Sequence, residues 1–331
     1  MISSTDKCKL GAIFGAGRSG TTWLGTIVSS HPKIAYRFEP FSRLRQTNTY
    51  VEETFKLIRS STFSSSDLSQ IYHTLLSAHP EWEKPPFFQK SYSIPPGRSM
   101  IWPLARKNTL FSHLFQQLYT PKATPPLVFK EVQGNLLYPL LTRTTAPVIY
   151  IMRHPCAVVW SNMQGQKNSL MPKHRRQRLS KLLEKKNPTL AEQYNGRLEK
   201  LSISEQEALL WRLDVEQALS ACQVNKNGLL VIYEGLVAHP LEIASKVFNH
   251  LGLEMTRETA SFIEESTQSS QASRIKRGEI GINQYFTVFR DSKVACNAWK
   301  DEMPPEDRMG AMKIVRDSNP FVFAAEQNLW N

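Results

Sequence analysis

The stretch Leu10–Ser30, LGAIFGAGRSGTTWLGTIVSS, decides the fold. Its apolar start, Leu10–Phe14, predicts a short buried strand. Three glycines then predict a tight turn. Thr21–Val28 predicts a helix that ends before His31-Pro32, because the residue before a proline disfavours helical geometry. The first N–H groups of a helix lack partners and lie at the positive end of its dipole, so the turn predicts an anion-binding site, most naturally for a phosphate.

Two general nucleotide-binding motifs compete for this turn. Gly15 and Gly20 have the spacing of the NTPase motif G-x-x-x-x-G-K-[ST], but Thr21 stands at the lysine position, which disfavours an ATPase, GTPase or nucleotide kinase. With Gly17, the same glycines spell the dinucleotide fingerprint G-x-G-x-x-G, and Glu39 follows at about the distance of a ribose-binding acid. An NAD(P)- or FAD-dependent oxidoreductase is therefore the alternative to the function inferred below.

The segment Arg18–Trp23, RSGTTW, resembles the 5′-phosphosulfate loop of sulfotransferases, which use 3′-phosphoadenosine-5′-phosphosulfate (PAPS). In that family a lysine or arginine precedes S-G-T-[TS]-[WF], and Arg18 takes its place. The resemblance implies that Arg18 and the loop N–H groups bind the 5′-phosphate and stabilise the charge that grows on it as it leaves. The cofactor-binding residues implied in this loop are Gly17, Arg18, Ser19, Gly20, Thr21, Thr22 and Trp23.

A second constellation lies in Val148–Ser161, VIYIMRHPCAVVWS, where a predicted strand ends at Arg153 and a helix follows. Arg153 and Ser161 match the sulfotransferase element R-x-x-x-x-x-x-x-S, whose arginine and serine bind the 3′-phosphate of the cofactor. A guanidinium offers parallel donors to two phosphate oxygens, and a hydroxyl adds a further hydrogen bond. Together with the Arg18 loop, this pair is the main support for the family.

Two later segments extend the resemblance. The run from Tyr233 to Leu253 resembles the family's Y-E-D-L…P…F-L-G-L segment and implies that the Tyr233 ring lies against the adenine; a core tyrosine is the equal alternative. Ile275–Gly281, IKRGEIG, is similar to the R-K-G-x-x-G element that holds the 3′-phosphate, without the tryptophan that normally follows. The places of its basic pair and glycine are taken by Lys276, Arg277 and Gly278.

Glu39 is the candidate general base. A predicted strand, Lys33–Phe38, ends beside it, and parallel strands place their ligands at their carboxyl ends. A carboxylate within reach of the acceptor's proton can remove it, and apolar neighbours are expected to raise the basicity of Glu39. Many carbohydrate-type sulfotransferases carry a similar Glu-Pro at this point, which supports this choice, and the chain as a whole resembles the carbohydrate-like, bacterial branch of the family. An ion-paired or surface glutamate is the alternative.

Some sulfotransferases instead take their base from a K-x-H element on the next strand. Here Lys130-Glu131-Val132 follows the predicted strand Pro126–Glu131, so valine occupies the histidine position. That favours Glu39, or in second place Glu131, as the base. Lys130 either steadies the transferring sulfonate or pairs with a carboxylate. The resemblance thus gives Arg18, Glu39 and Lys130 as catalytic residues.

The composition of the chain excludes further classes of function. The net charge of +12 suits polyanionic ligands, but the basic run Lys173–Lys186 is interpreted as a solvated helix face near an anionic cofactor, because no nucleic-acid-binding motif accompanies it. The four cysteines form no C-x-x-C pair, so neither a zinc site nor a disulfide framework is expected. No apolar run approaches the roughly 20 residues of a membrane span, and no apolar signal segment begins the chain. We therefore expect a cytoplasmic enzyme without membrane, nucleic-acid or metal partners.

The resulting expectation is one α/β domain over residues 1–331, with a mainly parallel sheet flanked by helices in a P-loop-like sulfotransferase fold. Insertions at 42–125 and 165–205 would surround the acceptor site, and Pro85–Leu104 would form an irregular loop or lid. A capping box of Ser204 and Glu207 is expected to start a helix that runs to Ala221. The reaction would move a sulfuryl group from PAPS to a hydroxyl, amine or guanidine of a small-molecule or sugar acceptor, leaving 3′-phosphoadenosine-5′-phosphate (PAP). A homodimer stays open.

Overall fold

The computed structural model describes residues 9–170, 174–267 and 292–330. Its strands are β1 (Leu10–Gly15), β2 (Ala35–Phe38), β3 (Leu127–Glu131), β4 (Val148–Met152) and β5 (Gly228–Ile232). They form a five-stranded sheet in the order β2-β3-β1-β4-β5, and every neighbouring pair is parallel. The predicted α/β class and parallel sheet are confirmed.

Helices cover both faces of this sheet, which explains why β1, β3 and β4 are buried along their whole length and are mainly apolar, apart from Lys130 and Glu131 at the end of β3. The helices are α1 (Thr21–Ser30), α2 (Pro40–Leu44), α3 (Thr49–Arg59), α4 (Leu68–Leu76), α5 (Arg98–Ala105), α6 (Thr109–Tyr119), α7 (Gly134–Arg143), α8 (Pro155–Lys167), α9 (His174–Gln177), α10 (Leu179–Lys186), α11 (Pro188–Gln193), α12 (Ile203–Val224), α13 (Tyr233–Ala238), α14 (Pro240–His250), α15 (Arg257–Thr267), α16 (Ser292–Glu302), α17 (Pro305–Val315) and α18 (Asn319–Ala325).

The core divides into two layers, one on each face of the sheet. Side chains alternate along a strand, so Phe14 of β1 joins the layer formed with α7, α8 and α12, whereas Ile13 joins the layer formed with α1, α13 and α14. On that second face Leu24 and Ile27 of α1 are fully buried. This packing fixes α1 against the sheet, and its N-terminus therefore lies at the carboxyl edge of β1.

The register of the strands brings several predicted site residues to one edge of the sheet. Phe38, the last residue of β2, pairs with Lys130 of β3, and Gly15, the last residue of β1, pairs with Ile151 of β4. The residues that follow these strands, including Glu39 and Arg153, therefore emerge at the same edge.

Two local predictions are corrected. The predicted irregular segment Pro85–Leu104 contains a helix, because Arg98–Ala105 forms α5. The capping box of α12 consists of Ser202 and Glu205, two residues before the predicted pair: the Ser202 hydroxyl accepts from the Glu205 N–H at 3.2 Å, and the Glu205 carboxylate accepts from the Ser202 N–H at 2.8 Å. Ser204 and Glu207 lie inside the helix and are buried.

The basic run, of which Lys173 lies outside the described residues, packs on α12 through ion pairs. Arg175 and Lys186 each lie 2.8 Å from a different oxygen of Asp214, and Arg176 lies 3.1 Å from Glu207. These cations are therefore partly neutralised by the protein itself, rather than forming the fully solvated face that the sequence predicted. Over residues 9–170, 174–267 and 292–330, no helix has both the length and the apolar character needed to cross a bilayer.

Candidate functional site

The loop between β1 and α1 is a compact turn closed by its own serine. The Ser19 N–H and the Ser19 hydroxyl both donate to the Ala16 carbonyl, at 3.2 and 2.6 Å. The chain reverses through two left-handed residues, Arg18 at φ 70° and Gly20 at φ 92°. Because Ser19 is fully buried, its hydroxyl shapes the turn, and the loop presents the Arg18 side chain and the N-terminus of α1.

The three glycines of this turn have different surroundings. A methyl group at Gly20 would lie 2.3 Å from Cδ2 of Tyr233, and one at Gly15 would lie 2.6 Å from the Ile151 carbonyl oxygen. At Gly17 it would meet nothing within 4 Å. Gly15 and Gly20 are thus required by close packing, whereas Gly17 borders open space where a ligand can approach the backbone.

The two predicted phosphate-binding motifs meet in space although they lie far apart in sequence. Arg18 Nε donates to the Ser161 hydroxyl at 2.8 Å, and Arg153 Nη1 donates to the Arg18 carbonyl at 3.2 Å. Ser161 lies on α8 and Arg153 immediately follows β4, so the strand–turn–helix unit of one motif closes directly on the other. The structure therefore brings Arg18, Arg153 and Ser161 into one cluster, the phosphate cluster.

Arg153 is fixed by contacts on several sides. Its Nη2 donates to the Ala295 carbonyl of α16 at 2.5 Å, and its own carbonyl accepts from Trp211 Nε1 at 3.2 Å. Its guanidinium lies 4.6 Å from the ring centroid of Tyr233. Nε of Arg153 is buried and has no hydrogen-bond partner among residues 9–170, 174–267 and 292–330. A buried unpaired donor is costly, and an anionic oxygen is the partner that would satisfy it.

His154 holds the turn between β4 and α8. Its Nδ1 accepts from the Cys156 N–H at 3.2 Å, and its ring stacks on Trp299 with centroids 4.3 Å apart. Its backbone N–H donates to Glu234 at 3.0 Å. Burial, reinforced by Lys300 and Arg153, lowers the pKa of His154 to about 3, so the ring is neutral. Its structural role agrees with the interpretation of His154 as a turn residue.

Tyr233 and Trp23 lie beneath the loop. Both are buried, and their rings pack edge to face at 5.9 Å. Tyr233 also contacts Gly20 and Arg153, and Trp23 Nε1 donates to Ser266 at 3.3 Å. These contacts agree with the alternative of a core tyrosine, and contact with an adenine stays a prediction.

Glu39 follows β2 and adopts a left-handed conformation at φ 49°. Its N–H donates to the Lys130 carbonyl at 2.8 Å, and its carboxylate forms a close ion pair with Lys130 Nζ. Burial alone would raise the pKa of Glu39, but Lys130, with Arg43 and Lys84, holds it below its ordinary value. The expectation that apolar neighbours raise the basicity of Glu39 is therefore wrong, since the neighbours that decide its charge are cations.

Glu131, the second candidate base, serves a different purpose. Its Oε1 accepts from the N–H groups of Phe41 and Ser42 at 2.8 and 2.9 Å, and its Oε2 accepts from the Ser42 hydroxyl at 2.7 Å. These donors lie in the first turn of α2, where N–H groups lack helical partners. Burial raises the pKa of Glu131 to about 7, against the effect of these hydrogen bonds. Glu131 thus anchors the helix that follows Glu39.

The site has two sides along the edge of the sheet. Glu39 follows β2, and the Arg18 loop follows β1 two strands away, about 10 Å at the usual strand spacing. Arg18 and Glu39 are also two of the non-glycine residues held at positive φ, a strain that tends to occur at functional sites. Lys276, Arg277 and Gly278 lie outside the described residues. Among the described part of the chain, no group of three or more His, Cys, Asp or Glu is placed to hold a metal ion.

Comparisons with known proteins identify the family and the fold of this chain. A model described as the sulfotransferase family matches residues 12–257. A mouse sulfotransferase complexed with PAP is 13% identical over 97% of this chain and 89% of that chain, with a TM-score of 0.50. At this identity, the likeness shows the fold alone, and it confirms the predicted P-loop-like sulfotransferase architecture.

Two other solved structures are similar over most of their length. A sulfotransferase domain from the curacin biosynthetic pathway is 15% identical over 92% of this chain and 96% of that chain, with a TM-score of 0.46. A retinol dehydratase in complex with androsterone and inactive cofactor PAP is 15% identical over 94% of this chain and 80% of that chain, with a TM-score of 0.45. No curated protein sequence matches the chain. Nothing in these comparisons supports the oxidoreductase alternative.

Proposed function

The chain belongs to the sulfotransferase family, and from this premise we propose which of its residues hold the donor and which activate the acceptor. The enzyme transfers a sulfuryl group to an acceptor substrate. PAPS is the donor we propose, supported by the PAP bound to the similar mouse enzyme and by the meeting of two phosphate-binding motifs in this chain. When bound, PAPS supplies a sulfuryl group attached to a phosphate that can leave.

The residues of the phosphate cluster suit a nucleotide with two separate phosphates. Arg18, the open backbone at Gly17 and the N-terminus of α1 with Thr21 and Thr22 would hold the 5′-phosphate. Arg153 and Ser161 would hold the 3′-phosphate, and the buried Nε of Arg153, which has no partner in the described part of the chain, is the observation that fits an anionic partner. In this proposal Lys276, Arg277 and Gly278 add to the 3′-phosphate site, and Tyr233 supports the loop from below.

The chemistry is then divided among three charged side chains. Arg18 and the loop N–H groups stabilise the negative charge that grows on the leaving phosphate. Glu39 accepts the proton of the attacking hydroxyl or amine. Lys130, through its ion pair, keeps Glu39 ionised and oriented toward the acceptor side. Because β3 lies between β1 and β2, Lys130 lies between the base and the phosphate loop. This position also suits it to stabilise the sulfonate during transfer.

We infer an acceptor with a hydroxyl, amine or guanidine group on a small molecule or sugar, and a cytoplasmic enzyme. The insertion 42–125 supplies the end of α2, with Arg43 next to Glu39, and α3 to α6 on the acceptor side. In this arrangement, segments outside the sheet determine which acceptor binds, and substrate specificity commonly resides in such segments.

The observation on which the proposal rests is the contact of Arg18 with Ser161 and Arg153. Its test is transfer of label from PAPS to a panel of phenols, sugars and amines by the wild type and by Arg18→Ala. Loss of one donor to a developing charge costs about 10²–10³ in kcat, so we expect Arg18→Ala to lose at least 100-fold, with a much smaller change in PAP affinity. Lys246→Ala on the exposed face of α14 is the matched control. Equal turnover in Arg18→Ala and wild type would remove the proposed role.

A further inference from the structure

Cationic side chains gather around the proposed base. Lys130 contacts the Glu39 carboxylate, and Arg43 Nε lies 3.9 Å from its other oxygen. Lys84 Nζ lies 3.7 Å from the ring centroid of Phe38, the residue before Glu39, and Lys130 Nζ lies 4.7 Å from the same centroid. The ammonium groups of two lysines therefore share one aromatic ring beside the base.

A fourth cation joins through a second carboxylate. Arg106 Nε lies 3.1 Å from Oε1 of Glu81, and Arg43 Nη1 lies 3.6 Å from Oε2 of the same residue. We call Arg43, Lys84, Arg106 and Lys130 the cation cluster. Its four cationic side chains face two carboxylates, Glu39 and Glu81, so the cluster keeps an excess of positive charge.

Lys84 is the member of the cation cluster whose charge is least compensated by carboxylates. Among the described residues, no carboxylate lies within ion-pair distance of its ammonium group, and its side chain is exposed. Burial of part of the chain and the neighbouring Arg43, Lys130 and Arg106 lower the pKa of Lys84 to about 7. An anion placed beside Lys84 would relieve this repulsion, so the cluster favours an anionic ligand.

The backbone that carries Lys84 is held by buried contacts. The preceding residue, Glu83, is buried and pairs with the buried Arg37 at 2.9 Å and also with Arg98. Trp102 Nε1 donates to the Glu83 carbonyl at 2.7 Å. Arg37 Nε donates in turn to the Leu75 carbonyl at 2.6 Å. The backbone position of Lys84 is thus fixed by buried contacts, and its ammonium group lies over the Phe38 ring.

We propose that the acceptor carries an anionic group, a carboxylate or a sulfate, near its nucleophilic atom, and that Arg43, Lys84 and Arg106 bind that group while Glu39 faces the nucleophile. This inference rests on the proposed function and adds the substrate class. Arg43, Lys84 and Lys130 lie beside the base and Arg106 joins them through Glu81, so a group bound there belongs to the molecule that the base deprotonates. Electrostatic complementarity of this kind sets specificity and orientation.

The experiment compares acceptors that carry an anionic group with matched acceptors that lack one. The pairs are 4-hydroxyphenylacetate with 4-hydroxyphenylacetamide, methyl glucuronide with methyl glucoside, and N-acetylglucosamine 6-sulfate with N-acetylglucosamine, so carboxylates and sulfates are tested separately. Initial rates with labelled PAPS give kcat and KM, and calorimetric titration of the PAP-saturated protein gives affinity where turnover is slow. We expect the anionic member of at least one pair to be preferred about tenfold or more, mainly through KM, as two partly exposed charge contacts would give.

The variant Lys84→Gln/Arg106→Gln should reduce that preference to about threefold or less while leaving the neutral acceptors within twofold of wild type. Lys84→Arg, which keeps the charge, should retain the preference, and Lys246→Gln is the control on a distant exposed face. An equal loss for neutral and anionic acceptors would mean that the cluster serves the sulfonate, and it would overturn the inference. So would equal affinity for both members of every pair. A protein that binds no PAP would contradict the proposed function instead.

Discussion

Replacement of Gly20 by alanine should destabilise the protein and the phosphate cluster together. The residue sits at φ 92°, where a side chain costs about 1–2 kcal/mol. The new methyl group would also lie 2.3 Å from Cδ2 and 2.7 Å from Cε2 of Tyr233, and relief of such overpacking costs about 1–3 kcal/mol. The sum, roughly 2–5 kcal/mol, is a large fraction of the 5–15 kcal/mol that typically stabilises a folded protein.

Gly20→Ala should also weaken PAP binding, because the buried side of the loop contacts the phosphate cluster. Tyr233 cannot move without disturbing Arg153, whose guanidinium lies 4.6 Å from its ring. Urea denaturation followed by tryptophan fluorescence measures the free energy of unfolding, and calorimetry measures PAP affinity. Gly17→Ala is the matched control, because its methyl group meets nothing within 4 Å, and it should change the free energy of unfolding by less than about 1 kcal/mol. A Gly20→Ala protein as stable as Gly17→Ala would contradict the proposed clash with Tyr233.

Three further outcomes follow from the charges at the site. Glu39→Gln should lower kcat by about 10²–10⁴, and because the pKa of Glu39 lies below its ordinary value, the wild-type rate should stay constant down to about pH 5; an acid limb near pH 6.5 would assign the base elsewhere. His154 takes up a proton near pH 6.5 in the unfolded protein but only near pH 3 in the folded protein. The free energy of unfolding should therefore fall by up to about 1.4 kcal/mol per pH unit below pH 6.5. Urea midpoints measured across this pH range should fall less steeply in His154→Phe. Glu131→Ala leaves the Phe41 and Ser42 N–H groups without their acceptor and should cost about 2–4 kcal/mol in the same denaturation assay; a loss below about 0.5 kcal/mol would contradict its anchoring role.

The sequence predicts the parts of this site that follow local rules. Arg18 and Arg153 each follow a continuous apolar strand and precede a helix, and that pattern is enough to place both at one edge of a parallel sheet. The position of Ser161 can be predicted from that of Arg153, because the two residues lie at a fixed spacing along one strand–turn–helix unit. The direct contact between the two motifs requires β1 and β4 to be neighbours in the sheet. The order of the strands along the chain does not predict this pairing.

The parts that sequence alone does not predict depend on long-range pairing. The charge on Glu39 is decided by Lys130, which lies 91 residues away and faces it only because β2 pairs with β3. A pattern of apolar neighbours around Glu39 therefore gave the wrong direction for its pKa. Glu131 anchors α2 from the neighbouring strand for the same reason. The stack of His154 on Trp299 joins β4 to a C-terminal helix, and no local signal indicates it.

The contribution of the 3′-phosphate to the binding free energy tests most directly whether Arg18, Arg153 and Ser161 form one nucleotide site. Titration calorimetry of the wild type with PAP and with adenosine 5′-phosphate isolates that group, and the same pair of titrations on Ser161→Ala and Arg153→Gln locates it. Two or more charge-assisted hydrogen bonds at about 1.5–3 kcal/mol each predict that PAP binds at least about 100-fold more tightly, and that each variant loses most of that ratio while its affinity for adenosine 5′-phosphate changes little. Equal affinities of the wild type for the two nucleotides, or a ratio unchanged in both variants, would contradict the claim that Arg18, Arg153 and Ser161 form one site for a doubly phosphorylated adenosine.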